Sequence, residues 1–146
     1  MRSYKGKYKP MHPEKYAGDP ENIIYRSLLE RRFMVYCDQN SSILKWCSEE
    51  IVIKYLSPID NKIHRYFPDF LIEVKDKQDN KKVILIEVKP HKECSPPKVP
   101  KTIQTRRFIN ECTTYAVNQA KWNAAKELCK INGWEWQVLT EKELRP

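Results

Sequence analysis

An α/β fold, with helices packed on a mixed sheet, is what this sequence predicts, and three observations predict it. RYFPDFLIEV at 65–74 and VILIEVKP at 83–90 are runs of strand formers separated by the turn-prone DKQDNK, the pattern of an antiparallel hairpin. Stretches of helical composition lie on both sides of this strand-rich middle. WEWQVL at 134–139 alternates Trp134, Trp136 and Val138, so a last strand follows the second helix and, after that crossover, can lie parallel to a neighbour.

Each element has a local reason. Residues 1–18 hold five Lys/Arg, three Tyr, two Pro and two Gly with no sustained period. They read as an extended basic arm ahead of a single domain at 19–146, either a solvated tail or a segment that grips a nucleic-acid backbone or a partner protein. Asp19 can cap a first helix with Pro20 at its first position and Glu21 complementing the dipole; the helix should run to about Cys37, with Ile24, Leu28 and Val35 on one stripe. ILKWC (43–47) and EIVIKYL (50–56) read as strands, and SPIDNK (57–62) as a turn. A strand from about Ile63 to Lys75 then reverses and returns as Val83 to Lys89, which completes an antiparallel meander. Residues 90–107 hold four prolines and read as a long irregular loop. A second helix follows from about Thr113 to Asn132, with Ala116, Ala120, Ala124, Leu128 and Ile131 near one face and Gly133 as its stop.

Composition narrows the partners. A chain of 146 residues is long enough for one domain with a real core, and 27 Lys+Arg against 19 Asp+Glu give a net charge of +8, which favours a polyanion such as nucleic acid. No apolar run approaches the ~18–20 residues of a membrane span, and MRSYKGKYKP lacks the apolar core of a signal peptide, so a soluble, non-exported protein is expected. The five cysteines, at 37, 47, 94, 112 and 129, show no CxxC and read as reduced thiols; His91 and Cys94 are a weak start for a zinc site.

The carboxylates inside the hairpin carry the chemistry, because a carboxylate set among Ile, Val, Leu and Phe costs free energy unless something stabilises it. Strand periodicity puts Phe70, Ile72 and Val74 with Ile84, Ile86 and Val88 on one face, and Asp69, Leu71 and Glu73 with Val83, Leu85, Glu87 and Lys89 on the other. Asp69 should face Glu87 or Val88, and opposed side chains sit roughly 4.5–5.5 Å apart at Cβ. Two acids that close repel, and a divalent cation reverses the sign; hard oxygen donors suit Mg²⁺. Acid-x-Lys occurs at Asp60, Glu73, Asp79 and Glu87, but only Glu87-Val88-Lys89 ends an apolar strand opposite a Pro-Asp. The bland reading of that tripeptide is a strand end emerging into solvent, salt-bridged to Lys89 or Arg65.

Pro68-Asp69, then Glu87-Val88-Lys89 after an apolar strand, with a preceding helix bearing Glu30, resembles the PD-(D/E)xK nuclease superfamily. LLERRF with the PDF and IEVKP strands is similar to its transposon-end branch. MRSYKGKY, GDPENIIYRSLLERRFMVYCD and HRYFPDFLIEV resemble the head-completion nucleases of large contractile-tailed phages, a likeness that runs nearly the full length.

That resemblance implies a restriction-endonuclease-like αβββαβ core and a metal-dependent DNA endonuclease. Asp69, Glu87 and the Val88 carbonyl would hold Mg²⁺, with Mn²⁺ as a substitute; Lys89 would position the attacking water and Glu30 would complete the site. A further polar residue on the second helix is expected from Asn118, Gln119 and Lys121, with Gln119 or Lys121 favoured. Lys5, Lys7, Lys9, Arg106, Arg107 and Lys121 are candidate contacts to double-stranded DNA, each also readable as a solvated charge. Head or portal proteins are the expected partners, and virion and host cytoplasm the expected setting. A virion adaptor with an idle site and a junction-directed recombination nuclease are the alternatives.

Overall fold

The structure is a computed structural model that describes residues 5–101 and 105–144. In chain order it contains β1 (Gly6–Tyr8), β2 (Ile23–Tyr25), α1 (Leu28–Gln39), β3 (Ile43–Ser48), β4 (Ile53–Leu56), β5 (Ile63–Tyr66), β6 (Phe70–Lys75), β7 (Lys81–Val88), α2 (Thr105–Asn132), β8 (Glu135–Leu139) and α3 (Glu141–Leu144). The frame is a four-stranded sheet in the order β3-β6-β7-β8, antiparallel except for the parallel pair β7 and β8. The mixed sheet and its crossover are as the sequence predicts.

Helices cover both faces. On one, Phe33, Met34 and Cys37 of α1 pack with Trp46, Phe70, Ile72, Ile86 and Val88; on the other, Trp122, Ala125 and Cys129 of α2 pack with Leu85, Tyr55 and Tyr66. Each large apolar side chain buried this way contributes about 1.5–3 kcal/mol. Among the described residues no helix is long and apolar enough to cross a membrane.

Four details depart from the sequence reading. Asp19-Pro20 makes a turn instead of a helix start: Asp19 Oδ1 accepts from the Glu21 N–H (3.0 Å) because the next residues, β2, pair with β1. The helix begins later, at a capping box in which Ser27 Oγ accepts from the Glu30 N–H (3.1 Å). Residues 5–18 are not a free arm, since Tyr8 and Tyr16 are buried with Trp46 and β1 is paired.

The strand expected from Ile63 to Lys75 breaks at Phe67-Pro68-Asp69, where proline can donate no ladder hydrogen bond. Its first half, β5, pairs with β4 in a separate two-stranded ribbon, so β3 lies directly against β6 and the meander is interrupted. Finally, α2 starts at Thr105, well before the expected Thr113, and Arg106 and Arg107 sit on it and not in a loop. Its buried stripe is Asn118, Trp122, Ala125 and Cys129, whereas Ile131 is 81% exposed. Gly133 does stop the helix, at φ +70°.

Candidate active site

The register of the central hairpin decides what meets. Phe70 pairs with Ile86 and Ile72 with Ile84, so one step further Asp69 lies across from Glu87. Asp69 Oδ2 accepts from the Val88 N–H at 2.8 Å, which fixes the carboxylate over the end of β7. Its backbone is held too, as the Asp69 carbonyl accepts from the Glu49 N–H at 3.1 Å. Glu87 is buried, with Oε1 accepting from the Tyr66 hydroxyl at 2.6 Å and Oε2 lying 3.9 Å from Lys89 Nζ. Lys89 is placed by its own N–H, which donates to the Leu139 carbonyl (2.9 Å) and extends the β7 and β8 ladder.

Glu30 arrives from the first turn of α1, buried at 8% exposure, with Oε2 accepting from the Ser27 hydroxyl at 3.1 Å. It is at once a capping residue and a member of the acidic cluster. Burial holds its carboxyl above the usual range, the neighbouring Glu49 adds to this, and the Ser27 hydroxyl opposes it. Asp69 is pushed up much further, first by burial, then by the negative charges of Glu87 and Glu30, against the Val88 N–H and Lys89. Glu87 and Glu30 are therefore both within electrostatic reach of Asp69.

Lys121 joins them from the middle of α2. Its ammonium lies 5.5 Å from the Tyr66 ring centroid and 5.9 Å from that of Tyr55, and burial followed by repulsion from Lys89 lowers its affinity for a proton, with Glu87 and Asp69 opposing. Gln119 is half-buried on the same helix. Arg106 and Arg107 stand at the start of α2, about 21 Å from Lys121 by helix rise, and Arg107 pairs with Glu111 (3.1 Å). Lys5, Lys7 and Lys9 are exposed on and beside β1, with no ion pair among the described residues.

The cluster includes residues the sequence reading passed over. Tyr66 holds Glu87, yet nothing marks a tyrosine three residues before Asp69 until β5 is seen to turn its ring inward. Glu49, at φ +55° and paired with Arg26 (3.0 Å), lies beside Glu30. Ser27-x-x-Glu30 was passed over as well, although it is a capping box in plain sequence.

Among the described residues, no three His, Cys, Asp or Glu side chains are drawn tightly enough together to enclose a metal ion. The donor chemistry nonetheless fits a hard divalent cation. Asp69 and Glu87 are cross-strand neighbours, burial and then the charges of Glu87 and Glu30 keep Asp69 prone to protonation, and a cation with water in its remaining positions would relieve that repulsion.

This fold and site belong to a known class: the family model for the TnsA-like endonuclease N-terminal domain matches residues 40–141, well over half the chain, and the chain belongs to that family. It is accordingly an endonuclease with a restriction-endonuclease-like domain, and DNA is its class of substrate. The matched stretch holds Asp69, Glu87 and Lys89, while Glu30 lies upstream of it. The chain is also similar along its length to the head completion nuclease of Enterobacteria phage T4, 41% identical over 146 residues, which cover 98% of this chain and 95% of that protein. Nucleases of this fold generally use divalent metal ions.

Proposed function

We propose that this chain is a Mg²⁺-dependent DNA endonuclease that hydrolyses phosphodiester bonds during completion of the phage head after packaging. One observation carries the chemistry: Asp69 and Glu87 meet at the end of the central hairpin, with Glu30 in electrostatic reach and the Lys89 ammonium 3.9 Å from Glu87. The near full-length similarity to a head completion nuclease supports the setting, a phage-infected cell.

Asp69, Glu87 and the Val88 carbonyl would hold Mg²⁺, for which Mn²⁺ can substitute. When bound, the ion polarises the phosphoryl oxygens and acidifies its water. Lys89 positions the attacking water and adds positive charge where negative charge develops on the phosphoryl group. Tyr66 keeps Glu87 turned toward Lys89, and Glu30 completes the acidic wall. Lys121, its ammonium close to Lys89, adds attraction for the substrate phosphate. Lys5, Lys7, Lys9, Arg106 and Arg107 would steer the backbone of double-stranded DNA, a contribution that weakens with salt. Head or portal proteins are the partners, and the virion is the destination.

The test is direct. Pure protein is incubated with plasmid and with linear DNA in Mg²⁺, Mn²⁺ or EDTA, beside Asp69→Ala and Lys89→Ala. Cleavage that requires the metal and is lost in both variants is expected. A folded, inert wild type that still co-purifies with phage heads would replace the enzyme with an adaptor.

A further inference from the structure

A large cleft lies between residues 91–98 and the first half of α2, with a volume of about 1170 Å³. Its lining runs from His91, two residues past Lys89, to Asn118, about one helical turn before Lys121, so one end of it comes near the two lysines of the site. We propose that this cleft receives an unpaired DNA strand leading away from the scissile phosphate, so that the enzyme favours DNA with a single-stranded flank. The inference rests on the nuclease reading and specifies the form of its substrate.

Size comes first. The cleft exceeds the ~300–1,000 Å³ of a typical small-molecule pocket. From Arg106 to Asn118, α2 runs about 18 Å along it, length for a few nucleotides. Charge agrees: Lys92, Lys98 and Arg106 line it without an acidic partner among the described residues, and of its two acids, Glu111 is occupied by Arg107 (3.1 Å) while Glu93 remains. A cationic cleft of this length suits a phosphate backbone.

Two side chains argue for unpaired bases. Tyr115, half-buried on the α2 wall, presents an aromatic ring, and a base face is free to stack only at an unstacked base. Asn118, only 5% exposed, has a buried Nδ2 with no hydrogen-bond partner, although it lines the cleft. Buried amide groups are ordinarily satisfied. A carbonyl or ring nitrogen on the edge of an unpaired base is the acceptor that this amide lacks.

Fluorescence anisotropy in EDTA, where no cleavage occurs, compares a blunt duplex with the same duplex bearing a single-stranded tail. Wild type should bind the tailed form at least about fivefold more tightly, the worth of one stacked base. Tyr115→Ala should bring the two affinities together while leaving the blunt duplex nearly unaffected. Asn118→Leu should do the same and, because an orphaned amide is removed, should melt no lower than wild type without DNA. Equal wild-type affinities for the two forms, or a Tyr115→Ala loss shared equally between them, overturns the inference. Plasmid cleavage in Mg²⁺ is scored separately: cleavage with equal affinities sinks this inference alone, whereas no cleavage with a clear tail preference sinks the nuclease reading and keeps the cleft.

Discussion

Tyr66→Phe isolates a single hydrogen bond in the site. The phenol donates to Glu87 Oε1 at 2.6 Å, with both residues buried, Tyr66 at 5% and Glu87 at 6% exposure. Phenylalanine keeps the ring that lies 5.5 Å from the Lys121 ammonium, so packing is retained and only the donor goes. A hydrogen bond to a charged group contributes about 1.5–3 kcal/mol. For a domain of this size each kcal/mol moves the melting temperature by about 2–4 °C, which gives a fall of about 3–12 °C in EDTA. Loss of such an outer partner to a metal-binding carboxylate typically costs about 10–100-fold in metal affinity. A Mg²⁺ titration of plasmid cleavage should therefore shift to higher metal concentration by that factor, with much of the rate recovered at saturation. If the variant melts with wild type and follows the same Mg²⁺ curve, the phenol does not hold Glu87 and the outer part of the site is wrongly drawn.

Other perturbations have equally definite outcomes. Asp69 is held above the ordinary carboxyl range by burial, then by Glu87 and Glu30. The folded state thus binds that proton more tightly than the unfolded chain, and metal-free protein should gain stability as pH falls from neutral through the raised value toward the ordinary value of about 3.9. Asp69→Asn should abolish cleavage yet melt above wild type in EDTA at neutral pH, without that share of the acid gain; a lower melting point at neutral pH would refute the repulsion. Lys89→Ala should lose about 10²–10³ in cleavage rate, with a Mg²⁺ dependence far less altered than in Tyr66→Phe. Burial alone would raise Asp38, but hydrogen bonds from Tyr8, Met11 and His12 outweigh it and hold the carboxyl below its usual value. Its stabilisation is therefore present at neutral pH and lost as pH falls through that depressed value, and circular-dichroism melts should show Asp38→Ala several degrees less stable at neutral pH, with a smaller deficit in acid. Gly133→Ala places a methyl group at φ +70° with no atom within 4 Å to clash, so only backbone strain of about 1 kcal/mol should appear in denaturant melts.

The hairpin and its acids were legible because periodicity, turn chemistry and a Pro-Asp opposite Glu-Val-Lys are local patterns. Register then follows from the turn to within one residue, and β6 and β7 pair with Asp69 across from Glu87, one of the two partners counted from sequence. What escaped depends on distant partners. Asp19-Pro20-Glu21 has sound helix-start chemistry, but Ile23–Tyr25 is claimed by β1, and only tertiary pairing reveals that. The first half of α2 carries Arg106, Arg107, Asn110, Glu111 and Thr114, too polar for an apolar stripe, because it borders a cleft instead of a core. Tyr66 could not be assigned to Glu87 while β5 and β6 were taken as one strand, since the break at Pro68 lets Tyr66 turn beneath the sheet end.

The far end of α1 is tied down by the chain that precedes it. The Lys15 ammonium bonds the carbonyls of Cys37 (2.7 Å), Asp38 (3.1 Å) and Asn40 (2.8 Å), while the Asp38 carboxylate gathers Tyr8, Met11 and His12. Glu30 sits near the opposite tip of the same rod. A protease that clips between Tyr8 and Tyr16 would loosen a helix whose other end carries a wall of the catalytic cleft, so nicked preparations should inactivate without losing any residue of the acidic cluster.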